Sequence, residues 1–80
     1  MSLSDRLIDF AEAGNQQKIT LANQHVLQGW IMEITDDALL ISTGYSDKAG
    51  KDVWIKFEDL QTAELSYWDH KQNTWETFVL

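Results

Sequence analysis

Near the start of the chain, apolar residues recur every three to four positions, and beyond residue 17 they mostly alternate. Leu3, Leu7, Phe10 and Ala11 share one stripe with Ile8 beside them, and Asp5, Arg6, Asp9 and Glu12 point away, which predicts a helix over 3–13. Ser2 followed by Asp5 is a capping-box signal at its start, and Gly14-Asn15 suits its exit. A helix this short is unstable alone, so its stripe must pack on the sheet or on a neighbouring subunit. The alternating stretches predict strands over 17–22, 26–35, 38–43, 52–57, 61–68 and 74–80. Polar turns separate them: Ala22 to His25, Asp36-Asp37, a loop over 44–51, Glu58 to Leu60, and Asp69 to Asn73.

The second strand is the longest and contains one glycine, Gly29, where a bend is expected. Its apolar residues fall on both faces, with Val26, Trp30, Met32 and Ile34 on one and Leu27 and Ile31 on the other. That pattern predicts a sheet curled on itself with both sides at least partly covered. In the fourth strand Val53, Ile55 and Phe57 point inward, and Trp54 and Lys56 outward. A helix followed by closely spaced strands, the second bent, is the order of a small Sm-like or SH3-like barrel. The expected architecture is therefore mainly β. A helix (3–13) precedes a barrel of five bent antiparallel strands (17–67), and a C-terminal hairpin extension (68–80) follows within one domain.

Eighty residues bury only about 60% of their unfolded surface, so the core is small. The four Trp, three Phe and two Tyr then point to a dense core or to an interface, and self-association is one way to add buried surface. There is no cysteine, which excludes disulfides and thiolate metal sites. A formal charge of −7 works against non-specific binding to phosphate backbones. No apolar run approaches the roughly 20 residues of a membrane span, and the N-terminus is polar and acidic, so a soluble cytoplasmic protein is expected.

The helix, the segment ITLANQHVLQGWIMEITDDALLIS and the segment DVWIKFEDLQTAEL together resemble the Sm-like proteins, most closely the bacterial Hfq branch. The step Leu27-Gln28-Gly29, with Ile31 and Ile34 after it, fits the first Sm motif, and Ile55-Lys56-Phe57 falls where Hfq carries Tyr-Lys-His. The resemblance covers residues 3–66 and implies a homo-oligomeric ring of about five to seven subunits, the fourth strand of one pairing with the fifth of the next. It also implies single-stranded RNA bound with stacked bases in inter-subunit pockets. This chain departs from the family at the turn after the second strand. Thr35, Asp36 and Asp37 stand where Hfq has Asp, Gln and Phe, so an acid replaces the stacking aromatic. Lys56 matches the pocket lysine, while Phe57 replaces the histidine.

These residues give the candidate site: Asp36, Asp37, Lys56 and Phe57, with Trp54 as an exposed aromatic beside them. The competing expectation is an acidic protein-interaction scaffold on an SH3-like barrel that has lost RNA binding, which the charge, Asp36-Asp37 and the aromatic final hairpin favour. Trp54, Tyr67, Trp68 and Trp75 form either a platform for bases or a protein partner, or packing under the helix or at a subunit interface. His25 and His70 are read as solvated turn residues, and Asp36-Asp37 as turn formers rather than metal ligands. The mixed-charge stretch from Asp47 to Asp52 matches no EF-hand or phosphate-binding loop and is read as a hairpin tip. No catalytic motif is present, so neither an enzyme nor a cofactor is expected.

Overall fold

The computed structural model describes residues 2–43 and 50–80; the expected loop and hairpin tip lie largely outside them. The first helix, α1 (Leu3–Glu12), begins as the sequence predicts. Asp5 donates its backbone N–H to the Ser2 hydroxyl at 3.2 Å, and Ser2 donates its own to the Asp5 carboxylate at 3.3 Å. Together they satisfy two of the donors a helix start leaves unpaired. The helix ends at Ala13, and Gly14 follows with φ +65°, where an added Cβ would lie 2.3 Å from the Trp68 carbonyl oxygen. That approach is used, because Asn15 donates its N–H to the same oxygen at 3.1 Å.

Six strands follow: β1 (Gln17–Thr20), β2 (Val26–Ile34), β3 (Ala38–Ser42), β4 (Asp52–Lys56), β5 (Glu64–Asp69) and β6 (Thr74–Phe78). A single helical turn, α2 (Phe57–Leu60), separates β4 from β5, where the sequence pattern predicted a strand end and a turn. All strand pairs are antiparallel, in the order β4-β3-β2-β1-β5-β6.

The expected closed barrel of five strands is therefore corrected to one open sheet of six. The expected final hairpin is present: β6 pairs with β5 over its whole length, from Asp69 with Thr74 to Leu65 with Phe78, and so extends the same sheet. The turn that closes it is well specified: the Asp69 carboxylate accepts the Lys71 N–H at 2.9 Å, and Asn73 takes φ 55°, which asparagine tolerates. Trp68 packs edge-on against Trp75 across the hairpin at 5.5 Å between centroids, and Phe78 lies 5.2 Å from Phe10 of α1. With its second side taken by β6, β5 does not meet β4, and the sheet stays open.

Gly29 marks the bend of β2. An added Cβ there would lie 1.8 Å from the Ser42 carbonyl oxygen, so the glycine permits a close approach of β2 and β3. Two residues on, the register shifts: Ile31 pairs with Ile41, but Glu33 with Leu40 and Ile34 with Leu39. One extra residue reverses the alternation, so Ile31 and Ile34 both turn to the core side. This corrects the grouping of Ile34 with Val26, Trp30 and Met32.

The core lies on the inner side of the bent sheet. Leu7 and Phe10 of α1 meet Ile19, Leu27, Leu39, Ile41, Ile55 and Leu65 from the strands and Leu60 from α2. Gln17 is buried among them and donates its amide to the carbonyls of Phe10 (3.3 Å), Ala11 (3.1 Å) and Ala13 (2.6 Å). It thus satisfies orphan acceptors at the C-terminal end of α1. The outer side is not covered as expected, because Val26, Trp30, Met32 and Trp54 remain exposed. Among the described residues, no helix is long and apolar enough to cross a membrane.

Candidate functional site

Eighteen residues separate Asp36-Asp37 from Lys56-Phe57, and the pairing of β3 with β4 brings them together. Ala38 opens β3 opposite Lys56, the last residue of β4. One step further, Phe57 donates its N–H to the Asp37 carbonyl at 2.9 Å. The turn itself is organised by Thr35, whose hydroxyl accepts the N–H of Ala38 at 3.1 Å and lies 3.0 Å from a carboxylate oxygen of Asp37.

Asp36, Asp37, Lys56 and Phe57 line one shallow hollow of about 400 Å³, together with Glu58. Four of the five site residues read from the sequence are thus neighbours. Trp54 is not in the lining; it sits two positions before Lys56 on β4, opposite Leu40. The missed member is Glu58, whose signal in the sequence is its place two residues after Lys56.

The hollow holds three carboxylates and one ammonium group. Phe57 is half-buried at its wall, and Lys56 and Glu58 are exposed. A phosphate entering it would meet net negative charge, with only Lys56 as counter-ion. Among the described residues, no three acidic or histidine side chains are grouped to hold a metal ion. His25 and His70 are exposed in separate turns.

A second feature is carried by the outer side of the sheet. Trp30 (41% exposed) pairs with Ser42, and Trp54 (53%) pairs with Leu40, two residues along the same β3. Met32, at the bulge, is 63% exposed. Large apolar side chains in this state cost free energy unless something covers them. By contrast, Trp68 and Trp75 are half-buried against each other, and the ammonium of Lys18 lies 4.3 Å from the Trp75 ring centre. They therefore spend part of their surface within the hairpin.

No protein-family model, curated protein or solved structure matches this chain.

Proposed function

We propose that this chain is a non-catalytic protein-binding module on an open SH3-like sheet, working through the outer side of the sheet beside β4. The observation that carries the reading is that Trp30, Met32 and Trp54 are exposed together on the outer side of the sheet, in a chain of net charge −7. Aromatic and methionine side chains are enriched where protein interfaces form. The excess of carboxylates in the hollow supports the same choice over a nucleic acid.

A second reading is single-stranded RNA bound at inter-subunit pockets of an Sm-like ring. Lys56 and Phe57 lining one hollow favour it. Against it stand Asp36, Asp37 and Glu58 in the same lining, and β6 on the side of β5 where the Sm-like resemblance would seat a neighbouring β4.

The test is parallel purification of the tagged wild-type chain and a Trp30→Ser/Met32→Ser variant from the native host. The module reading predicts protein that co-purifies with the wild type, free of nucleic acid, and is lost from the variant. RNA recovered with both, and lost on Lys56→Ala, would overturn it.

A further inference from the structure

We propose that β4 pairs with β4 of a second copy of this chain, antiparallel about a two-fold axis at Trp54, joining two open sheets into one. The inference deepens the protein-binding reading by naming the partner at this edge. It begins from the hydrogen bonds that flank β4. Thr43 donates its N–H to the Lys51 carbonyl, and Phe57 donates its own to the Asp37 carbonyl. In an antiparallel ladder, the residues bonded to one neighbour alternate with those facing away from it. Lys51, Val53, Ile55 and Phe57 therefore turn their backbone groups toward β3, and Asp52, Trp54 and Lys56 turn their N–H groups toward the open edge. Among the described residues, no strand pairs with β4 on that side.

These three edge-facing residues are also exposed, while Val53 and Ile55 point inward. A hydrogen-bonded antiparallel pair sets its two residues opposite each other with side chains on the same side of the sheet. Two β4 strands centred on Trp54 then place Trp54 opposite its own copy and Asp52 opposite Lys56 of the second chain, twice by symmetry. The inner residues fall into step, Val53 opposite Ile55. The strand reads Asp-Val-Trp-Ile-Lys, so its ends carry opposite charge at equal distances from its centre. Two-fold pairing turns that arrangement into two cross-strand ion pairs around a central aromatic contact, on a chain whose net charge of −7 would otherwise resist self-association. An unpaired strand edge next to exposed apolar side chains is the kind of surface that such pairing covers. The contact is self-complementary, as a two-fold interface requires. One strand edge is small for an interface, so association is concentration-dependent.

The experiment is light scattering and sedimentation over a concentration series for the wild type and for Asp52→Lys, Lys56→Asp and the double swap. Both side chains are exposed, and far-UV circular dichroism checks that each variant stays folded. The wild type is expected to move from 9.2 kDa toward twice that mass. Each single variant opposes like charges at both pairs and weakens the dimer by about tenfold or more. The double swap restores it. An equimolar mixture of the two single variants forms a heterodimer, because one then carries lysine at both ends of the strand and the other carries aspartate at both. Trp54→Pro gives a monomer while leaving the β3 ladder intact, since that N–H faces the edge. A wild type that stays monomeric throughout, a ring-sized mass, or single variants that dimerise like the wild type would overturn the proposal. A monomer that still retains a different protein through Trp30 and Met32 would remove this inference and leave the broader reading standing. RNA binding would remove that reading whatever the mass.

Discussion

Replacing Gly29 with alanine adds a single methyl group where the backbones of β2 and β3 come close together. Its Cβ would lie 1.8 Å from the Ser42 carbonyl oxygen, 2.8 Å from the Ser42 carbonyl carbon and 3.0 Å from the Thr43 Cα. All three are backbone atoms, so no side-chain rotation relieves the clash. A tolerable carbon–oxygen contact needs about 3.3 Å, so β2 and β3 must separate there by about 1.5 Å. The separation strains the pairing of Trp30 with Ser42 and loosens the core beneath Ile41. Overpacking and weakened ladder bonds together cost about 2–4 kcal/mol. A chain of this length has roughly 4–12 kcal/mol in total, so Gly29→Ala lowers the melting temperature by roughly 10–30 °C. Gly29→Val has a larger effect. Thermal and urea melts followed by tryptophan fluorescence and circular dichroism read the change. A melting temperature equal to that of the wild type would refute the close approach, and with it the bend that shapes the sheet.

Three further experiments probe how the helix and the last hairpin are held. Gln17→Glu keeps the side chain's shape but turns a buried donor into an anion facing the carbonyls of Phe10, Ala11 and Ala13, at a cost of about 3 kcal/mol in urea melts at neutral pH. Burial raises the folded-state pKa of the new carboxyl, so the deficit relative to wild type narrows as pH falls through that value; a pH-independent deficit would contradict this. Arg6→Ala removes a hydrogen bond of 2.5 Å to the Val79 carbonyl and a cation held 5.8 Å from the Phe78 ring centre. It should cost about 1–2 kcal/mol and speed amide exchange in β6 more than in β3, and uniform protection would show that no such tie exists. A double-mutant cycle of Trp68→Ala and Trp75→Ala should give a coupling of about 0.5–1.5 kcal/mol, and strict additivity would show that their edge-on contact adds nothing.

The helix, its capping box, the exit at Gly14 and the bend at Gly29 were legible from local residue type and spacing, whereas the close approaches to Trp68 and Ser42 that those two glycines permit were not. The same is true of the inward and outward faces of β4, where plain alternation holds. The turn of Ile34 to the core side was not legible, because an extra residue at a bulge leaves no mark in the apolar pattern. The role of Gln17 was hidden for a different reason. A polar residue on the inward face of a strand makes sense only once the open carbonyls of the preceding helix are seen to converge on it. Open or closed geometry was decided by whether β4 or β6 claims the second side of β5, a choice that the order of strands does not reveal. At the candidate site, Asp36, Asp37, Lys56 and Phe57 were found as neighbours, but the balance of charge changed when α2 brought Glu58 into the same lining. The exposure of Trp30 and Met32 depended on none of the other described residues crossing the outer side of the sheet, which no local pattern states.

The choice between a protein-binding surface and an RNA-binding hollow is most directly tested by the fluorescence anisotropy of labelled oligo-U and oligo-A at low salt. The account predicts a flat signal up to about 100 µM chain, the weak end of non-specific nucleic-acid binding. A saturable rise that disappears in Lys56→Ala or Phe57→Ala would contradict it and would make the hollow beside β4 the functional site.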